Sequence, residues 1–378
     1  MHRDQVRELT TAEALTARPR LRRLTASTLV LLIVMLPVLL AFGRIEAAPR
    51  DAEIARVEQA VLAEKAMQSK PILMFYGSMV SEDAPGRWEE HKKDITVNAR
   101  IAGMLALFGI SALLYVLLFL VRGRATAALG CLTLCLLPPI AQEGFVLRAE
   151  QCSTLFGILG IVLIAGFPLM LQERARGVSP WLARASLMLV VGMTFGIARS
   201  CQVGAWIYLT VPAGALLLSV MTLVLMFPRA ARGRSLMYWP FRAAARRYVP
   251  WMFLVLSSFA LTLLVMQQGG GTVVDSQSDV GLLPESWWLA GPILIFAVLG
   301  AMRMGLGVGL RLGRLRRVRP DAVMFLYVAG LMIQHYLTRD GIDRMPAAVA
   351  LACLVGDGAM SAVVVGFGQI AKKRSTAR

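Results

Sequence analysis

The chain has 378 residues, 57% of them hydrophobic and only 17% charged, with 40 Lys+Arg against 23 Asp+Glu. Soluble domains are roughly 45–50% apolar and about 25% charged, so this composition excludes an ordinary soluble enzyme, a disordered protein and a disulfide-stapled mini-domain. A net charge of +17 would suggest nucleic acid in a soluble chain, but a bilayer protein sorts its charges by side, and no nucleic-acid partner is expected.

A helix that crosses a ~30 Å hydrocarbon core needs about 17–25 apolar residues. Ten such runs follow one another: 25–43, 101–121, 125–141, 153–171, 182–198, 204–227, 250–266, 287–309, 321–337 and 346–370. They are continuously apolar rather than alternating, so helices are predicted, not strands. The first run follows a basic segment and is too long for the core of a signal peptide, so it reads as a signal anchor. The third ends in Pro138-Pro139, which closes or kinks a helix. The fifth and sixth are separated only by 199–203 and form a tight hairpin.

With the N-terminus in the cytoplasm, the cytoplasmic pieces carry 25 basic and 5 acidic residues and the outer pieces 12 and 17. The reverse orientation violates the positive-inside rule in nearly every short loop. Trp181, Trp206, Trp239, Trp251, Trp287 and Trp288 fall at or near span ends, the level that indole rings favour. The predicted fold is therefore an all-α polytopic integral membrane helix bundle of about ten transmembrane helices, placed in the plasma (inner) membrane. Both termini are cytoplasmic, and a small extracytoplasmic cap completes the fold. Its parts are a basic N-terminus (1–24), the anchor helix (25–43), an outer segment (44–98), the main bundle of about nine helices (99–370) and a basic tail (371–378).

In the outer segment, Ile54, Val57, Val61 and Leu62 recur at helical spacing between charged positions such as Asp51 and Glu53, which predicts an amphipathic helix over 51–69. Residues 72–76 form a short apolar strand or membrane-dipping piece, and Ala84-Pro85-Gly86 a turn. The outer loop 267–286 reads as a flexible acidic linker. The inner loop 228–249 places Arg229, Arg232, Arg234, Arg242, Arg246 and Arg247 among Trp239 and other large apolar residues. That mixture suits a short interfacial helix on anionic lipid headgroups or a docking surface for a partner.

Asp357 is the sharpest feature. It lies within the last run, in Gly356-Asp357-Gly358, where a carboxylate costs a few kcal/mol and faces a bundle interior or a cavity. It is a candidate proton or cation site, or a packing lock between its glycines. Arg303, in the eighth run, either snorkels to the inner headgroups or partners Asp357 or a substrate phosphate. Gly305, Gly309 and Gly313 form a stripe that permits close helix approach. The segment 356–373 is faintly similar to the Gly-Asp-rich nucleotide-binding segment of membrane polyprenol and phytol kinases. That likeness is too short to imply a kinase here.

At the outer face, His335, Arg339, Asp340 and Asp343 form a polar cluster that Glu143 and Arg148 can join. Cys152 and Cys201 are candidates for a disulfide or for two buried thiols, whereas Cys131, Cys135 and Cys353 read as apolar fillers. No zinc-protease, nucleophile-elbow or Walker A motif occurs, and neither a metal nor a cofactor is expected. The leading expectation is transport: a permease, flippase or transporter subunit for a small or lipidic substrate, with a separate ATPase or other membrane subunits as partners. The alternatives are a membrane-embedded enzyme acting on a lipid or polyprenol-linked headgroup, and a non-catalytic assembly or sensory subunit.

Overall fold

The structure, a computed structural model, describes residues 28–43, 45, 51, 53–54, 57, 84–144, 146, 148–170, 180–201, 203–226, 238–267, 281–309, 320–338 and 344–376. Among these residues every regular element is helical. In chain order they are α1 (Thr28–Phe42), α2 (Ala84–Arg122), α3 (Arg124–Leu136), α4 (Pro138–Glu143), α5 (Ala149–Met170), α6 (Pro180–Cys201), a 3₁₀ turn (Val203–Trp206), α7 (Ile207–Met226), α8 (Tyr238–Gln267), α9 (Trp287–Gly309), α10 (Pro320–Thr338) and α11 (Arg344–Thr376).

Five stretches of these helices are long and apolar enough to cross a membrane: Lys92–Arg122, Trp181–Cys201, Val249–Met266, Trp287–Leu306 and Arg344–Gly366. Thr28–Phe42, Arg124–Leu136, Glu150–Gly166 and Pro320–Gln334 are shorter apolar helices. The large side chains turned outward, such as Leu261, Phe253, Ile295 and Val364, are apolar, as they must be when lipid is the solvent. The protein is an integral membrane helix bundle.

Local chemistry explains where the elements start and stop. Ala84-Pro85-Gly86, expected as a free turn, is instead the first turn of α2, because the N–H that proline lacks has no partner to lose there. At 39 residues, α2 is about 58 Å long, so it projects well beyond a bilayer core. The expected third span breaks at Leu137, whose φ −77° and ψ 130° are extended. Pro138 pushes the residue before it out of the helical region, and α4 restarts with prolines in its first turn. The expected interfacial helix in 228–249 is not a separate piece over its described part: Tyr238 opens α8 and the helix runs on without a break into the apolar stretch. Residues 72–76 lie outside the described residues.

Helix α11 lies at the centre, packed chiefly on α9 and α3 and also touching α2 and α5. Glycines permit this. A Cβ on Gly356 would stand 2.9 Å from the Thr126 carbonyl and 3.1 Å from the Gly130 nitrogen of α3. A Cβ on Gly358 would strike the Phe296 carbonyl and lie 2.8 Å from the Gly300 nitrogen of α9. The two glycines beside Asp357 thus face two different helices at backbone contact. Of the expected stripe, Gly305 opens onto empty space while Gly300 makes a close approach to α11; the surroundings of Gly309 and the whole of Gly313 lie outside the described residues. Phe195, Tyr208 and Tyr327 stack in series with centroids 6.1 Å apart. The Tyr327 hydroxyl donates to the Pro346 carbonyl at 2.9 Å, which ties α10 to α11.

Candidate functional site

Two polar sites stand at opposite ends of the bundle. At one end, the Asp357 side chain is 1% exposed and its Oδ1 receives two arginines, Arg122 Nε at 3.1 Å and Arg303 Nη1 at 3.3 Å. Arg303 also donates to the Ser361 hydroxyl, which in turn donates to the Asp357 carbonyl at 2.6 Å. Asp357 Oδ2 is buried and has no hydrogen-bond partner among the described residues. The two arginines keep about a third of their side chains exposed, 30% and 34%. Arg122 ends α2 and Gly123 follows with φ +96° and ψ −172°, a positive-φ extended conformation open essentially to glycine. The chain can therefore reverse directly after Arg122 and bring α3 back alongside α2.

At the other end, Arg148 Nη2 meets Glu143 Oε2 at 2.7 Å, with both side chains 10% exposed. Gln151 is fully buried and donates to the Gly144 carbonyl at 3.1 Å. Glu150 Oε2 accepts from the Met345 backbone N–H at 3.3 Å, so α5 is pinned to the start of α11. Arg148 Nε, Gln151 Oε1 and Ser153 Oγ are buried and have no partner among the described residues. Buried polar groups are normally satisfied, so this cluster is set up for a polar ligand or for water.

A third pair lies on the upstream part of α2. Arg100 grips Glu53 with two hydrogen bonds, 2.7 Å and 2.9 Å, and donates to the Ile45 carbonyl at 2.6 Å. Arg100 is 2% and Glu53 7% exposed. The fork geometry and the carbonyl leave this pair well satisfied, and it fastens the chain after α1 to α2.

The structure brings Arg303 against Asp357 and Glu143 against Arg148. His335 belongs to α10, but its side chain lies outside the described residues, as do Arg339 and Asp340 entirely, so the wider outer cluster is not assembled here. Arg229, Arg232 and Arg234 also lie outside them. Trp239, Arg242, Arg246 and Arg247 are in the first half of α8, with side chains that are not described. Cys152 and Cys201 sit near one another where α5 packs on α6, yet both are buried thiols and no disulfide joins them.

Arg122 and Glu53 carry no warning in the sequence, since each sits among other charges. Arg100 does carry one: an arginine entering an apolar run needs a buried acceptor. Nothing local points to Glu53, which the helical spacing places on a polar face but which is buried.

Neither a protein-family model nor a curated protein matches the sequence. The fold is similar to two solved structures from Archaeoglobus fulgidus. One is the archaeal oligosaccharyltransferase AglB in complex with an inhibitory peptide and a dolichol-phosphate, with TM-score 0.53 and 10% identity over 93% of this chain and 52% of that one. The other is the oligosaccharyltransferase in the apo form, with TM-score 0.52 and 12% identity over 92% and 52%. This chain therefore spans about half the length of those proteins. At such identity the likeness is one of fold. It overturns the transport expectation all the same, because the solved structures that share the architecture are oligosaccharyltransferases, not permeases or flippases.

Proposed function

We propose that the protein is a membrane-embedded enzyme that acts on a polyprenol-linked phosphate headgroup and transfers the group it carries. The observation that carries this reading is the fold likeness over 93% of the chain to an oligosaccharyltransferase holding a dolichol-phosphate. The charge distribution supports ten crossings with both termini cytoplasmic, which puts the Glu143–Arg148 end outside.

The Arg148 cluster has the chemistry for the task. A guanidinium with an uncommitted N–H can hold a phosphate oxygen as negative charge builds on the departing polyprenyl phosphate. Gln151 and Ser153 offer further hydrogen bonds to a hydroxyl-rich headgroup. Glu143 or Glu150 can accept the proton of the attacking hydroxyl or amide. Met345, at the head of α11, connects this cluster by backbone to the helix that bears Asp357.

Purified protein in lipid nanodiscs, given a polyprenyl-phosphate-linked sugar and a hydroxyl or amide acceptor, tests the reading. Mass spectrometry should show loss of the sugar from the lipid, with a rate about 10²-fold lower in Arg148→Gln, the scale of one lost transition-state donor. A lipid that crosses the bilayer chemically unchanged, with no headgroup released under any acceptor, rejects it. A second reading is a non-catalytic membrane subunit, favoured by the match to only half of each solved chain. Co-purification of a second polypeptide that supplies the activity would select that reading.

A further inference from the structure

We propose that the Asp357 end of the bundle holds a second site, built by Arg122 and Arg303, for the phosphate of a lipid headgroup. It lies on the opposite side of the bundle from the Glu143–Arg148 cluster and does not depend on the enzymatic reading.

Depth is the first argument. At ~1.5 Å per residue, Asp357 stands about 20 Å along α11 from Arg344, and Arg303 about 24 Å along α9 from Trp287. In a ~30 Å core these positions approach the far headgroup level. Arg122 arrives there as the last residue of α2.

Donor geometry is the second. Both guanidiniums point one nitrogen at the same buried carboxylate oxygen, and Arg303 spends part of its fork on Ser361. A guanidinium has five N–H donors. The remaining donors belong to side chains that are 30% and 34% exposed. Asp357, 1% exposed, therefore acts as an internal anchor that fixes two forks side by side without competing for what binds outside. Asp321, in the first turn of α10, also bears on Asp357, and exposed Arg124 follows Gly123. Together these five groups leave one net positive charge, enough to favour an anion while the forks supply the fit.

The third argument is what surrounds the forks. Phe119 and Leu299 lie on the same helix faces, one turn back toward the middle of the bundle, and are 45% and 40% exposed. An arginine pair below exposed apolar side chains matches a phosphate head with an apolar tail. A membrane phospholipid and a polyprenyl phosphate share that chemistry.

Native mass spectrometry of the full chain in detergent, titrated with phosphatidylglycerol, a polyprenyl monophosphate, inorganic phosphate and diacylglycerol, tests the site. The expected result is a tight adduct with one or both phosphate lipids and none with diacylglycerol. Binding should weaken about tenfold in Arg122→Gln and in Arg303→Gln, as when one charged donor is lost. Whichever lipid binds names the source. An inorganic phosphate adduct as well assigns recognition to the phosphate group, and its absence assigns it to head and tail together. Equal affinity in the unaltered protein and both variants, or equal binding of diacylglycerol, overturns the proposal. Phenylglyoxal modification of Arg122 and Arg303 in the unaltered protein avoids any dependence on how a variant folds. Protection by the phosphate lipid supports the site, and equal modification with and without it overturns it.

Discussion

Among the described residues, the buried charges Arg100 and Asp357 have partners of different exposure, and that difference sets what a substitution does. Arg100 and Glu53 are both almost fully enclosed. Glu53→Gln leaves a buried guanidinium facing a neutral amide, and removing one member of such a pair costs about 3–5 kcal/mol. Thermal unfolding in detergent should show a large drop, while an exposed Glu285→Gln control should leave the transition in place. Asp357 behaves differently, because it has two partners and each is a third exposed. Arg122→Gln or Arg303→Gln alone leaves one cation on the carboxylate and should cost only about 1–2 kcal/mol. The double variant strands the buried charge and should cost more than the two single losses added, toward the roughly 3–5 kcal/mol of an uncompensated ion. A double-mutant cycle by chemical or thermal unfolding measures the excess, and simple additivity would count against a shared role on Asp357. The sequence singles out Asp357 because a carboxylate in an apolar run is an anomaly visible in one dimension. Arg122 is hidden from the same reading, since an arginine at the end of an apolar run is what the positive-inside rule leads one to expect.

Among the helices, α11 depends on close approach to two neighbours through Gly356 and Gly358. A methyl group on Gly358 meets the backbone of α9, at the Phe296 carbonyl and the Gly300 nitrogen, and backbone cannot rotate aside as a side chain can. Gly358→Ala should therefore destabilise by about 1–3 kcal/mol, the usual cost of overpacking. Gly305→Ala, which meets nothing within 4 Å, should be neutral or slightly stabilising, since alanine favours a helix over glycine by up to about 1 kcal/mol. Helical content and melting temperature of the two variants give a direct contrast. Glycine spacing in the sequence marks small residues on α9 but cannot say which of them faces α11. A four-residue repeat continues along one face of a helix whether that face meets protein or lipid, and only the packing tells the two apart.

For the whole molecule, the charge sorting and the helix order make a joint prediction about orientation. If ten crossings hold, single cysteines introduced in 229–237 and 311–319 should react with an impermeant maleimide only from the cytoplasmic side. Those in 270–280 should react only from outside. Labelling of 229–237 from outside would reverse the assignment of both polar sites to their faces, and with it the placing of the Arg148 cluster on the outer side. The fold likeness to oligosaccharyltransferases, with half of each solved chain matched, is a property of helix arrangement. It survives at 10–12% identity because many apolar side chains can fill the same space between helices.

The sequence by itself determined that this is a helical membrane protein, where its apolar helices lie, and that Asp357 does not belong to the lipid phase. These are local properties, because hydrophobic length and the solvation cost of a lone charge are written in neighbouring residues. Only the tertiary structure decided that Asp357 rests between Arg122 and Arg303, that Glu53 is buried against Arg100, and that the helix arrangement is similar to that of solved oligosaccharyltransferases. Those outcomes depend on which helices become neighbours. That choice is made by backbone contacts and buried charge pairs between residues far apart in the chain, which no periodicity along one strand of sequence records.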